Sequence, residues 1–418
     1  MEQLTIFKGR VIDGNGGAPI EKGIVAVSGN RIQLVCREDE FDVPENAKVI
    51  EIQNGTVMPG FIDQHVHIGM GSINHKSLYS MHPYEKVCYA IRNLSDLLNA
   101  GFTTVRDCGG VSNHLKNALA TGLIEGPRVF SAGRTITQTN GHFDQIKSFP
   151  IEFNEKGNIL AYIADGVPEV RKAARMNLRE GADFLKCMLS AGVVSQSNNL
   201  ETQEFADEEI KAMVEEANKI GTYVAAHSIS NKAVKAAVRC GVKSIEHAYF
   251  LQEDDLEGII KNDHWVIPTL AITEMFMINI RNKTNPNNKL SPWLIQKMPP
   301  AYERQEASVR MARAAGVKVG FGTDLVGDAD ICPFGENGRE FGLLVRRGGY
   351  TPMETITMAT KFGSEVVMNP DLGTLEKGKL ADIVVVKGDP VADIDLLANK
   401  DNIRIVMKDG VVKKNMEG

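Results

Sequence analysis

Six side chains of this sequence are of the types that bind divalent metals or activate water, and each lies in a short apolar run. His65 and His67 close GFIDQHVH, Lys186 interrupts FLKCML, His227 lies in YVAAHS, His247 in SIEHA, and Asp324 closes VKVGFGTD. Imidazole and carboxylate are the ligands of a catalytic metal that keeps one position open for water. Alternation along a strand puts residues i and i+2 on one face, so His65 and His67 point the same way. Lys186 raises a separate question, because an ammonium inside an apolar strand must escape to water or lose its charge. Taken singly, each residue has a plainer reading. A histidine at a strand end is commonly a hydrogen-bonded structural residue, Asp324 could cap the next helix, and Lys186 could snorkel to the surface.

The elements that carry these residues decide between the readings. From about 58 to 365, eight apolar runs alternate with amphipathic helical segments: the five above plus TTVRD, RVFSAGR and WVIPTL. In ADEEIKAMVEEANKIG, Ile210, Met213, Val214 and Ala217 recur at helical spacing, with acids in the first turn and Gly221 just past the end. Continuous apolar runs are the pattern of buried parallel strands, and eight β–α units over this length make a (β/α)8 TIM barrel. Such barrels place their chemistry at the C-terminal strand ends, where all six residues fall. His142, in NGHFD after run three, falls on the same rim; the alternative is a loop histidine with solvent partners.

Both chain ends read as β-rich. TIFKGRVIDGNG, GIVAVSGNRIQLV, ADIVVVKGDP and IRIVMKDGVVKK carry hairpin patterns, with turns at SGN and at Asp409-Gly410. The expected α/β architecture is therefore a barrel over 58–365 and a small β-sandwich domain made jointly from 1–57 and 366–418. Of 418 residues, 43% are hydrophobic and 24% charged, so a core of ordinary size can be buried. A net charge of −6 without basic runs speaks against nucleic acid. No membrane span and no signal peptide are expected, and six scattered cysteines without a CxxC pair suit reduced, cytoplasmic thiols.

PGFIDQHVH, the lysine of run four, one histidine each in runs five and six, GTD, and the tail GTLEKGKLADIVVV together resemble the amidohydrolase superfamily of metal-dependent hydrolases. TTVRDCGG, NGHFD and AVRCGVKSIEHA are similar to its branch of imidazolonepropionase-like proteins, Xaa-Pro and Xaa-Arg dipeptidases, and ochratoxin-hydrolysing amidases. The resemblance implies two zinc ions. His65, His67 and Asp324 would hold one, His227 and His247 the other, and Lys186 would bridge them as a carbamate. Desolvation favours the neutral amine of a lysine, the form that adds carbon dioxide. A water bound by such a metal has a pKa of about 7, and Asp324 would move its proton to the leaving amine.

The activity so implied is hydrolysis of an amide in a dipeptide or N-acyl amino acid, of Xaa-Pro or Xaa-Arg/Lys type, by metal-activated hydroxide. A cyclic-amide or imidazolone hydrolase, an ochratoxin-type amidase and a non-catalytic scaffold are the alternatives. The implied partners are a small-molecule substrate and further copies of the chain in a homo-oligomer. His142 would face the substrate carbonyl. One departure stands out: many resembling dipeptidases read HAY after strand five, with a tyrosine at the substrate carboxylate, where this chain has Ile229. Asp328, Asp330 and Glu336, after run eight, could meet a basic substrate group or simply be solvated. His75 and His82 are candidates for a pocket wall, and His114 and His264 read as surface positions.

Overall fold

The computed structural model describes residues 3–110, 113–144, 160–196, 199–282 and 290–416. Strands β1 (Thr5–Val11), β2 (Ile20–Ser28), β3 (Arg31–Arg37) and β4 (Lys48–Pro59) come from the first 60 residues. The barrel region follows with β5 (Phe61–Val66), β6 (Phe102–Asp107), β7 (Arg128–Ser131), β8 (Thr135–Thr137) and β9 (Ala161–Ile163). It continues with β10 (Leu185–Met188), β11 (Val224–Ser228), β12 (Ser244–His247), β13 (Trp265–Ile267) and β14 (Lys318–Val319). The chain ends in β15 (Ile383–Lys387), β16 (Ile403–Lys408) and β17 (Val411–Asn415).

All eight apolar runs form strands of a parallel barrel. β5, β6 and β7 pair in order, as do β10 to β14. Two backbone seams join these arcs. Asp183 N–H donates to Ser131 O at 2.8 Å, linking β7 to the start of β10. Beyond β14 the chain stays extended against β5, with Gln64 N to Phe321 O at 2.9 Å, Asp324 N to His65 O at 2.7 Å and His67 N to Leu325 O at 3.0 Å. The structure adds one device to the expected pattern. The third run breaks at Gly133 (φ +70°), and β8, just past the break, pairs with β10 instead of β6. A glycine suits this break because a left-handed backbone carries no Cβ penalty there.

Both ends of the chain build one sheet in the order β17-β16-β15-β4-β1-β2-β3. β4 is the joint, parallel to β1 on one side and antiparallel to β15 on the other. Strand alternation divides the labour. Ile383 and Val385 face the sheet's own core with Phe7, Val25, Val57 and Ile405, while Val384 and Val386 join the barrel's core. The turn between β16 and β17 is the expected Asp409-Gly410, with φ of 50° and 76°, the primed geometry that suits strand twist. Gly29-Asn30 of SGN turns β2 into β3. Four buried phenylalanines, Phe61, Phe102, Phe321 and Phe341, pack ring to ring at 4.4–5.9 Å where β5, β6, the closing seam and the helix Arg339–Arg346 meet. All six cysteines are free thiols, and no described helix is long and apolar enough to cross a membrane.

The outer helices are clamped by charge as well as by packing. Glu216, buried on the helix Asp207–Asn218, is bonded by Arg175, Lys219 and Arg171, two of which come from the helix Gly166–Arg179. Those cations hold its carboxyl down at about 2 against the opposing effect of burial. A carboxylate with a depressed folded pKa stabilises the fold above its unfolded pKa and loses that contribution as pH falls. Glu216→Gln should therefore unfold at lower urea than the parent at pH 7. The gap should shrink between about pH 4.5 and 2, read as paired urea midpoints; a gap independent of pH would refute the clamp.

Candidate active site

The six residues of the opening pattern converge at the C-terminal mouth of the barrel, and strand register explains how. In the β10–β11 ladder Lys186 pairs with Ala225, two residues below His227. In the next ladder Ser228 pairs with His247. Lys186 thus starts one pleat lower, and its longer side chain brings Nζ within 3.5 Å of His65 Nε2. The closing seam delivers Asp324, whose Oδ1 lies 3.1 Å from His67 Nε2 and 3.4 Å from His65 Nε2. His65 and His247 have ring centroids 4.9 Å apart, and His247 and His227 4.5 Å. His142 stacks on His227 at 4.2 Å. Lys186 is 0% exposed, so it does not snorkel to the surface.

Each ligand-type imidazole is held through one nitrogen, which leaves the other for a metal. His65 Nδ1 lies 2.6 Å from Glu246 Oε2, His67 Nδ1 donates to Gly109 O at 2.7 Å, and His247 Nδ1 meets Thr269 Oγ1 at 2.8 Å. His227 is turned over: its Nε2 donates to Ala191 O at 3.3 Å, leaving Nδ1. Burial, reinforced by neighbouring cationic groups, pushes His65, His227 and His247 well below the usual histidine value, so these rings are neutral and carry lone pairs at pH 7. Burial pulls His67 the same way, but its hydrogen bond to Asp324 prevails and raises it. Imidazoles and a carboxylate, with the His65, His67 and Asp324 ligand atoms within 4.8 Å of one another, are a donor set that fits a divalent cation.

Behind this set lies a layer of buried charge that supports it. Glu246 is fully buried and bonds Arg106 through both oxygens, at 2.7 and 2.9 Å, and Ser244 Oγ at 2.5 Å. Arg106 also donates to the carbonyl of Gln64. The signal was available: a charge inside a buried run, the same anomaly that singled out Lys186, occurs in TTVRD and in SIEHA. His65, Cys108 and Glu246 also lie close together. Burial pushes the Cys108 thiol up to about 12 and Glu246 is already saturated by Arg106, so this trio is not a second cage.

The rim also stores backbone strain. His247, Ala248, Thr269 and Asp324 have positive φ, 74°, 46°, 55° and 59°. Conformations of this kind cost about 1–3 kcal/mol each and cluster where geometry serves a site. The cleft above the cluster is walled by Met70, Ile73, Phe143, Val194, Ile229 and Phe276, with Tyr249 beside them. His142 is only 5% exposed and lines the cleft, so it is not a solvated loop histidine. Two expectations are corrected, a pocket wall for His82 and a surface position for His264, and the remaining described candidates lie away from the cluster. Asp328, Asp330 and Glu336 do not line the cleft; Asp328 bonds Ser72 Oγ and Ile73 N, and Glu336 pairs with Arg339. His82 is exposed and caps the helix Pro83–Asn99, His264 is buried, and the side chain of His75 lies outside the described residues. His114 is exposed as expected.

The sequence matches the amidohydrolase family over residues 56–413. The chain belongs to the amidohydrolase family. Ochratoxinase of Aspergillus niger is 30% identical over 431 aligned residues, covering 98% of this amidohydrolase and 86% of that protein. A crystal structure of a prolidase complexed with N-methylphosphonate-L-proline matches with a TM-score of 0.90 at 31% identity, covering 99% of this chain and 100% of that one. A Xaa-Pro dipeptidase with bound methionine in its active site gives 0.88 at 29%, with 99% and 100% covered. This amidohydrolase is a hydrolytic enzyme acting on carbon–nitrogen bonds.

Glu246 offers a direct test of the hidden layer. Glu246→Gln removes the anion that orients His65 and leaves Arg106 without its counter-charge. Metal affinity should fall about 10- to 100-fold, as for other partners that orient a ligating histidine. Stability should fall by about 3–5 kcal/mol, the cost of breaking a buried ion pair. Metal titration and denaturant unfolding read the two; wild-type values in both would remove Glu246 from the site.

Proposed function

We propose that this amidohydrolase is a binuclear zinc enzyme that hydrolyses an amide bond of a dipeptide or N-acyl amino acid. The observation that carries the reading is the convergence of four buried imidazoles, one buried lysine and one carboxylate on a single apolar cleft. His65, His67 and Asp324 would hold one ion and His227 and His247 the other; Lys186, as a neutral amine that adds carbon dioxide and gives up one proton, would supply a carbamate as a further anionic ligand. When bound, the ions supply Lewis-acid activation of water and of the scissile carbonyl.

The chain's own residues supply the proton transfers and the placement. The Asp324 side chain is 22% exposed, against 0% for His65, so its carboxylate meets the cleft. It accepts a proton from the attacking water and returns it to the leaving nitrogen, general base and then general acid. His142 faces the carbonyl of the substrate. Ile229 and its apolar neighbours pack against the substrate body and exclude bulk water, which strengthens every charge interaction inside. The likeness to an ochratoxinase and to a Xaa-Pro dipeptidase supports an amide as the scissile bond.

Metal analysis of the protein as purified should give close to two zinc ions per chain, and Lys186→Ala should lose most of both metal and turnover. A Lys186→Ala variant with full metal and full rate would sink the bridging role. Asp324→Asn should keep most of its metal and lose most of its turnover. Zinc-loaded enzyme should hydrolyse members of a panel of Xaa-Pro, Xaa-Phe, Xaa-Arg and N-acyl amino acid substrates. Silence across that panel would overturn the proposed activity.

A further inference from the structure

We propose that Ser195 is a positioning residue that fixes which nitrogen of His142 carries the ring proton, and so makes His142 a hydrogen-bond donor at Nε2. The inference rests on the reading that His142 faces the substrate carbonyl.

Ser195 lies in the loop after β10 and is 4% exposed. Its Oγ is 2.5 Å from His142 Nδ1 and accepts from Gly192 N–H at 3.2 Å. A buried hydroxyl has one proton and must place it on an acceptor. With Gly192 already donating to Oγ, the acceptor that Ser195 reaches among the described residues is His142 Nδ1. The hydroxyl therefore donates, Nδ1 accepts, and in the neutral imidazole the proton sits on Nε2. The opposite tautomer would offer a lone pair at Nε2, which repels a carbonyl oxygen that gains negative charge. The Nε2–H tautomer stabilises that charge.

The surroundings hold Ser195 and the ring in this relation. Trp293 Nε1 donates to Val194 O at 2.8 Å and Lys297 Nζ to Ser195 O at 2.7 Å, both from the helix Pro292–Ala314. His142 N–H donates to Glu204 Oε2 at 2.9 Å, and the imidazole lies face to face with His227. Gly192 approaches the ring edge so closely that a Cβ there would fall 2.1 Å from His142 Cε1. A hydroxyl at 195 and a glycine at 192 are thus both parts of one cradle for His142.

The test uses the zinc-loaded full chain, the best amide of the panel, and N-methylphosphonyl-L-proline and N-methylphosphonyl-L-phenylalanine as tetrahedral probes. Ser195→Ala should lower kcat about 10- to 100-fold, the range for outer partners of active-site groups, with KM changed far less. Affinity for the better phosphonate, by calorimetry, should fall by a similar factor, metal content should not change, and Ser195→Thr should recover most of the loss. In a His142→Gln background, Ser195→Ala should cost nothing further. Should the alanine variant fail to fold, Ser195→Cys, a weaker donor of similar size, should lower kcat in the same direction. A Ser195→Ala enzyme with wild-type kcat, or one whose loss persists undiminished beside His142→Gln, overturns the inference while leaving the proposed hydrolase intact. Wild-type kinetics in His142→Gln itself would instead overturn the placement of His142 at the carbonyl, and this inference with it.

Discussion

The barrel and its site depend on one buried carboxyl. Asp63, on the strand that carries His65 and His67, accepts from Thr323 Oγ1 at 2.7 Å and Asn337 Nδ2 at 2.8 Å. It also accepts from the backbone N–H groups of His65 and Thr323, at 3.1 and 3.2 Å. Burial pushes this carboxyl up to about 6 even though four donors favour its anion. Thr323 immediately precedes Asp324, so the same carboxyl that ties the last strand to the first brings the cluster's aspartate to its histidines. Closing the barrel and assembling the site are one event.

The interior balances its charges in layers. Arg106 and Glu246 neutralise each other in the barrel, and Glu246 turns His65 so that one ring nitrogen is left over. Above them His65, His227 and His247 are neutral because burial opposes their protonation. A divalent cation suits such a mouth, where lone pairs face one another and water is scarce. The strain at His247, Ala248, Thr269 and Asp324 is concentrated at the same level, on the ends of three strands.

Much of this was legible in the sequence because it follows from periodicity and punctuation. Eight continuous apolar runs at β–α spacing specify a parallel barrel, and the ends of those runs specify its rim. Lys186 stood out because a charge in a buried strand has few physical explanations. Arg106 and Glu246 carry the same anomaly, yet only the fold shows that they answer each other across the barrel. His264 and His82 illustrate the converse. A histidine beside a loop says nothing about what packs over it, and neighbours in space decided that one is buried and the other exposed. The break at Gly133 has no signal in the sequence, because an apolar run reads as one strand until its ladder partners are known. Ser195 had no local signal, since its partner lies in a loop some 50 residues earlier.

The composite sheet has a consequence for how the chain comes into being. β4 lies between β1, its neighbour from the first residues, and β15, which begins at Ile383. During synthesis from the N-terminus, β1 to β4 can pair among themselves at once. The outer edge of β4, and the Phe7, Val25 and Val57 face beside it, then wait uncovered while the whole barrel is translated. An exposed strand edge beside an apolar face is a template for pairing with another chain. A chain that sews both of its ends into one sheet thus leaves that edge and face open until β15 has been made.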